Sequence, residues 1–197
     1  MYSNIIMIIV AYFIGSISSA ILVCKSMHLP DPRLQGSRNP GATNVLRIGG
    51  KWPALFTLLG DFLKGLVPVL LARLLGFDAI VIALSAFAAF FGHLFPIFFG
   101  FQGGKGVATM IGCLLVLSLP AGMCWIATWL IMAYLFRYSS LAALVASILA
   151  PVYIGFFSHN LTYAMTTLIM SLLLIYRHRN NIENLLRGKE KKIGKNN

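Results

Sequence analysis

Acidic residues are scarce in this chain. Its 197 residues hold five Asp and Glu against sixteen Lys and Arg, and only 11% carry a charged side chain. A soluble domain is usually about one quarter charged, so an ordinary water-soluble globular protein is excluded. Cysteine is nearly as rare. Cys24, Cys113 and Cys124 lie in or beside apolar runs and lack the spacing of metal ligands, so they read as free thiols and neither a disulfide framework nor a metal site is expected. No basic stretch precedes the first apolar run and no clear small-residue cleavage site follows it, so the run reads as a retained helix. No polar stretch is long enough to fold separately, so residues 1–197 are expected to form one domain.

Apolar side chains make up 58% of the sequence. The runs Ile5-Ile6-Met7-Ile8-Ile9-Val10 and Ala86-Phe87-Ala88-Ala89-Phe90-Phe91 do not alternate polar with apolar, as a transmembrane barrel strand would. Runs of roughly 20 nearly uncharged residues are instead read as membrane-spanning helices. The pattern predicts an all-α, polytopic membrane bundle with seven spans: 4–24, 52–75, 79–99, 107–119, 121–136, 139–157 and 161–176. The fourth is short, and Pro120 and Gly122 are expected to break the chain after it.

A net charge of +11 invites a nucleic-acid reading, but the placement of charge argues against it. With seven spans and the N-terminus outside, every Lys and Arg except Lys64 and Arg73 falls on one face. Basic residues collect on the cytoplasmic side of membrane proteins. That places the basic tail, residues 177–197, in the cytoplasm together with three polar islands.

The first island is Gly36-Ser37-Arg38-Asn39-Pro40-Gly41-Ala42-Thr43-Asn44-Val45-Leu46-Arg47. It offers hydroxyls, amides and guanidiniums and contains no acid, an inventory suited to an anion. The second, Phe101-Gln102-Gly103-Gly104-Lys105-Gly106, opens the fourth span. Glycines let backbone amides come close to a ligand, and a helix N-terminus favours negative charge. Its spacing is not that of a Walker A loop. The third runs from Arg177-His178-Arg179-Asn180-Asn181-Ile182 to Arg187-Gly188-Lys189-Glu190, with His178, Asn181 and Leu185 able to share a helical face. Each island alone could be a loop touching anionic lipid. Three on one face suit a phosphate site better. Inside the spans, Asp61 and Lys64 stand three residues apart and read as a mutually neutralising pair, and His93 as a packing histidine.

Laid side by side, these segments resemble the bacterial acyl-phosphate-dependent glycerol-3-phosphate acyltransferases, the PlsY family. Gly36–Arg47 carries the most specific likeness. Gly92-His93-Leu94-Phe95-Pro96 with Phe101–Thr109, Arg177–Glu190 and Asp61-Phe62-Leu63-Lys64-Gly65 follow in the same order. Arg38 stands where the family often has a small residue, so no role is carried to it.

The resemblance implies a reaction. An acyl group moves from acyl phosphate to the 1-hydroxyl of sn-glycerol 3-phosphate, giving 1-acyl-sn-glycerol 3-phosphate (lysophosphatidate) and phosphate. This is the first committed step of bacterial phospholipid synthesis, carried out without cofactor or metal at the cytoplasmic face of the inner membrane. The catalytic set implied is Ser37, Arg47, Lys105, His178 and Asn181. Asn39, Thr43, Asn44, Gly103, Gly104, Gly106 and Glu190 are implied to bind substrate. Glu190 is expected to hold Arg or Lys side chains in place. Ser37 has no Asp–His partner nearby in sequence, and acyl phosphate is already activated, so direct transfer is expected.

The rival reading is a membrane transporter for an organic phosphate, which should show inverted repeats and charged groups near the midplane. No convincing repeat is present. A CDP-alcohol phosphotransferase would need several aspartates for metal, and only Asp61 lies in a span.

Overall fold

The computed structural model describes residues 2–194, and all regular structure among them is helical. In lipid every backbone polar group must be satisfied within its own segment, and apolar runs of this length achieve that as helices. The helices are α1 (Tyr2–Gly15), α2 (Ser19–Ser26), α3 (Ala42–Gly49), α4 (Lys51–Leu74), α5 (Ala79–Leu94), α6 (Val107–Leu117), α7 (Leu119–Phe136), α8 (Ser139–Ser158), α9 (Leu161–Arg177) and α10 (Arg179–Leu186). A 3-10 turn, Ile97–Phe99, extends the α5 segment.

Four segments are long and apolar enough to cross a membrane: Lys51–Leu74, Ala79–Phe99, Leu119–Phe136 and Ser139–Ser158. The first span read from the sequence is not one straight helix. It breaks after Gly15, and α1 and α2 meet at 43°. The break has a use: the Ile17 carbonyl, freed from the helical ladder, accepts a hydrogen bond from Lys64 Nζ at 2.8 Å. Counted together, the bent pair makes a fifth candidate span. The fourth and seventh spans read from the sequence fall on the shorter apolar helices α6 and α9, which are not among these candidates. With 11 residues, α6 rises about 16 Å, too little to cross a hydrocarbon core of about 30 Å alone. Pro120 does not interrupt a helix; it lies in the first turn of α7, where its missing N–H costs nothing.

Packing relies on small residues. Gly15 of α1 lies directly on the Ala89 backbone of α5, and Gly65 of α4 on the Thr109 backbone of α6. Such contacts let helices approach closely where lipid supplies no hydrophobic drive between them. Phe90, Leu94, Met110, Leu114, Trp125, Met170 and Leu174 fill the centre and are fully buried. Leu130, Ile131, Leu135 and Phe136 of α7 stay exposed, an apolar outer face suited to lipid. At the far end of α6, the Arg73 guanidinium donates to the Val116 carbonyl, occupying an acceptor that a helix end otherwise leaves open.

Candidate active site

The three islands meet. Each is anchored by its own local chemistry, and side chains then bridge between them.

The first island is a loop tied into α3. Asn44, in the first turn of α3 and 1% exposed, accepts the Ser37 N–H at 2.8 Å. Its amide nitrogen donates to the Pro32 carbonyl at 2.9 Å and the Gln35 carbonyl at 3.0 Å. Each such bond contributes about 1 kcal/mol net, and more would be lost by leaving the partners unpaired. The Asn44 side chain, expected from the sequence to face substrate, is therefore spent on the loop itself. Ser37, Thr43 and Arg47 remain exposed, with Asn39 half-buried. Upstream, Arg33 makes a bidentate pair with Asp31, 2.6 Å at the shorter contact, and reaches the Phe99 carbonyl at 3.4 Å. The Arg33 hydrogen bonds hold the Asp31 carboxyl below its ordinary range.

The glycine loop, Gly103–Gly106, is pressed against the end of α5. The Gly104 N–H donates to the His93 carbonyl at 3.2 Å, so it is not the free anion donor that the sequence suggests. Among the described residues, neither the Gly103 nor the Gly106 N–H meets an acceptor. A Cβ on Gly103 would collide with the His93 and Leu94 carbonyls, and one on Gly104 with the His93 ring and the Pro40 carbonyl of the first island. Gly106 takes φ +88° to turn the chain into α6, a conformation that favours glycine.

The third island closes over this loop. Arg177, at the end of α9, donates from Nη2 to the Gly103 carbonyl at 2.6 Å and from Nε to the Gly104 carbonyl at 3.1 Å. Its guanidinium also lies 5.7 Å above the Phe95 ring centre. Arg177 entered the sequence reading as a topological charge and as the first residue of the third island, without a role of its own; its place next to His178 gave no hint of this clamp. His178 sits at the junction of α9 and α10, is 2% exposed, and places Nδ1 2.8 Å from the Leu174 carbonyl. Burial, together with the Lys105 charge, pushes its pKa down to about 4, so the imidazole is neutral at pH 7.

Lys105 joins the islands. Its Nζ donates to Asn181 Oδ1. Asn181 Nδ2 in turn donates to Glu190 Oε1 at 2.7 Å, and Ser140 Oγ at the start of α8 donates to the same oxygen at 2.6 Å. Glu190 thus holds an amide and a hydroxyl; the Arg or Lys partner expected for it is absent among the described residues. Ser140 carried no signal in the sequence, being one hydroxyl at the start of a span. Burial lowers the Lys105 pKa to about 8, with Glu190 opposing and the Arg47 and Arg177 charges adding to the fall. Those charges place Arg47 of the first island within electrostatic reach of Lys105.

The result is a cluster of cationic and polar groups on α3, the glycine loop and the α9–α10 segment, with the Glu190 carboxylate hydrogen-bonded within it. Among the described residues no group of three His, Cys, Asp or Glu side chains could hold a metal. The chemistry on offer is anion binding by Arg47, Lys105 and unpaired backbone N–H groups, beside exposed hydroxyls.

Comparison with known proteins agrees with this geometry. The family model described as glycerol-3-phosphate acyltransferase matches residues 5–188. A glycerol-3-phosphate acyltransferase of Hydrogenovibrio crunogenus is 56% identical over 186 residues, covering 94% of this chain and 89% of that protein. One from Methylococcus capsulatus is 53% identical over 184 residues, 93% of each chain. Among solved structures, PlsY, an integral membrane glycerol 3-phosphate acyltransferase, matches in its glycerol 3-phosphate form with TM-score 0.93 at 37% identity, covering 98% of this chain and 96% of that one. Its lysophosphatidic acid form matches with TM-score 0.90 at 36% identity over the same shares. On the family model and these relatives, the chain belongs to the glycerol-3-phosphate acyltransferase family.

Proposed function

We propose that this protein transfers an acyl group from acyl phosphate to the 1-hydroxyl of sn-glycerol 3-phosphate, releasing 1-acyl-sn-glycerol 3-phosphate and inorganic phosphate. The observation that carries this reading is the meeting of the glycine loop with Asn181 and Arg177 of the third island and with Pro40 of the first, in a fold shared with PlsY in its glycerol 3-phosphate form. Both proposed substrates are phosphates, and around Lys105 the charges of Arg47 and Arg177 face the single carboxylate of Glu190. Seven crossings, the five candidate spans plus the short helices α6 and α9, would put the N-terminus outside and the polar cluster in the cytoplasm, where basic residues collect.

In the mechanism, the 1-hydroxyl oxygen attacks the acyl carbonyl carbon. A C–O ester bond forms, the acyl–phosphate C–O bond breaks, and phosphate leaves. The hydroxyl proton passes to a substrate phosphate oxygen, and because the substrate hydroxyl is itself the nucleophile no acyl-enzyme is formed. Ser37, Asn39, Thr43 and Arg47 hold the acyl phosphate head group, with Asn44 fixing the Ser37 backbone. Gly103, Gly106 and Lys105 hold glycerol 3-phosphate. Asn181 orients Lys105, Glu190 orients Asn181, and the neutral His178 hydrogen-bonds or orients substrate. Catalysis then rests on positioning and on stabilising charge.

Purified protein in lipid or detergent, given palmitoyl phosphate and glycerol 3-phosphate, should release phosphate and form lysophosphatidate. Folded protein that released none would leave organic-phosphate transport as the better reading. An acyl ester trapped on Ser37 after incubation with acyl phosphate alone would overturn direct transfer.

The Lys105 environment sets the expected pH profile. In the empty site its ammonium loses a proton as pH rises through about 8, whereas an ordinary lysine stays charged to about pH 10.4. The kcat/KM for glycerol 3-phosphate reports the free enzyme, so it should fall above about pH 8. His178 should contribute no limb between about pH 5 and 8, because it is already neutral above about 4. A profile flat to about pH 10 would contradict the assignment of Lys105.

A further inference from the structure

Three titratable side chains inside the bundle take no part in the mechanism above. Asp61 of α4 is 3% exposed, Lys64 one turn later 6%, and His93 of α5 5%. Lys64 Nζ lies 2.8 Å from Asp61 Oδ1 and donates to the Ile17 carbonyl at the α1–α2 break. His93 Nδ1 stands 3.7 Å from the same carboxylate oxygen and makes no hydrogen bond of its own. The Asp61 carbonyl accepts Thr109 Oγ1 at 2.9 Å, fixing the first turn of α6.

This cluster touches the glycine loop from inside. The His93 carbonyl holds the Gly104 N–H, and the His93 ring occupies the space that a Gly104 side chain would take. Arg177 holds the Gly103 and Gly104 carbonyls from the other direction. The loop is therefore clamped between His93 and Arg177, with Lys105 the next residue along. A buried ion pair is a weak source of stability, and apolar replacement of both partners is often neutral or stabilising. Its retention here calls for a different benefit, and the contact with the loop supplies one.

We propose that Asp61, Lys64 and His93 are positioning residues that set the glycine loop, and through it Lys105, for the phosphate of glycerol 3-phosphate. This rests on the acyltransferase reading above. Asp61 and Lys64 fix each other, the carboxylate faces His93, and His93 fixes Gly104.

The test pairs kinetics with binding in purified protein. The double variant Asp61→Leu/Lys64→Met removes both charges together, and His93→Leu removes the ring contact while leaving the ion pair. Each is compared with wild type for its thermal midpoint, KM for both substrates, and Kd for glycerol 3-phosphate by calorimetry. The expected result is a KM and Kd for glycerol 3-phosphate raised about tenfold, with the KM for palmitoyl phosphate within about twofold. Should the double variant fail to fold, His93→Leu carries the same expectation. Equal loss for both substrates, or no change in either KM in a folded variant, would overturn the proposal. Wild-type protein that binds glycerol 3-phosphate without turnover would count against the transferase reading, and the Kd comparison would still decide this one. Absence of binding by folded wild type would overturn both.

Discussion

Replacement of Lys105 by methionine is expected to lower kcat/KM by about 10²- to 10³-fold, the usual cost of removing one preorganised charge-stabilising donor. Methionine keeps the length and apolar stem of the side chain and removes the charge. Three features place the effect at the top of the range. The side chain is half-buried and donates to Asn181, so its field is less screened than at an open surface. It is the point through which the glycine loop and α10 communicate, by way of Asn181. Its loss also leaves the Asn181 oxygen without its donor, so Glu190 and Ser140 hold an amide with nothing to aim. Steady-state rates with palmitoyl phosphate and glycerol 3-phosphate give the ratio. A variant within about threefold of wild type would remove Lys105 from the mechanism, since that is a change of about 0.6 kcal/mol.

Gly103→Ala is expected to cost about as much by a different route. The added methyl would meet the carbonyl oxygens of His93 and Leu94, which are backbone atoms in the last turn of α5 and cannot turn aside as a flexible side chain would. The loop must retreat instead, stretching the 2.6 Å bond from Arg177 to the Gly103 carbonyl and carrying Lys105 with it. A misplacement of about 1 Å can cost about 10²-fold in rate. Gly155→Ala is the matched control: a Cβ there lies 3.8 Å from Ala164 Cβ, an ordinary contact, inside α8. It should retain wild-type kinetics. Comparable losses in both variants would show that the bundle tolerates no added methyl and that Gly103 has no special role.

The sequence marks which residues are unusual and says little of how they are wired. Arg47, Lys105, His178 and Asn181 stand out because charge and amides are rare in an apolar chain. The Asp61–Lys64 pair was legible because two ionisable residues three apart inside a span must face each other or be unpaired in lipid. Asn44 read as a substrate ligand because amide composition does not reveal which partner is used; only the folded loop shows it spent on Pro32, Gln35 and Ser37. Glu190 was expected to hold a cation and instead holds Asn181 and Ser140, the latter 50 residues away in sequence. His93 read as packing, and its relation to Gly104 appears only when α5 and the glycine loop are juxtaposed.

By itself, then, the sequence determined that this is a helical membrane protein with its polar chemistry gathered in three segments. Those properties follow from composition and order along the chain: continuous apolar runs leave the backbone only its own helix to bond with, and scarce charges mark where water and anions are met. The tertiary structure decided which donors remain open. Whether the Gly104 N–H is free, whether α1 and α2 are straight, and whether Glu190 meets a lysine or an amide depend on helices packed through small residues at close range. A hydrogen bond is satisfied by whatever partner lies within about 3 Å, and such partners are set by packing between segments distant in sequence.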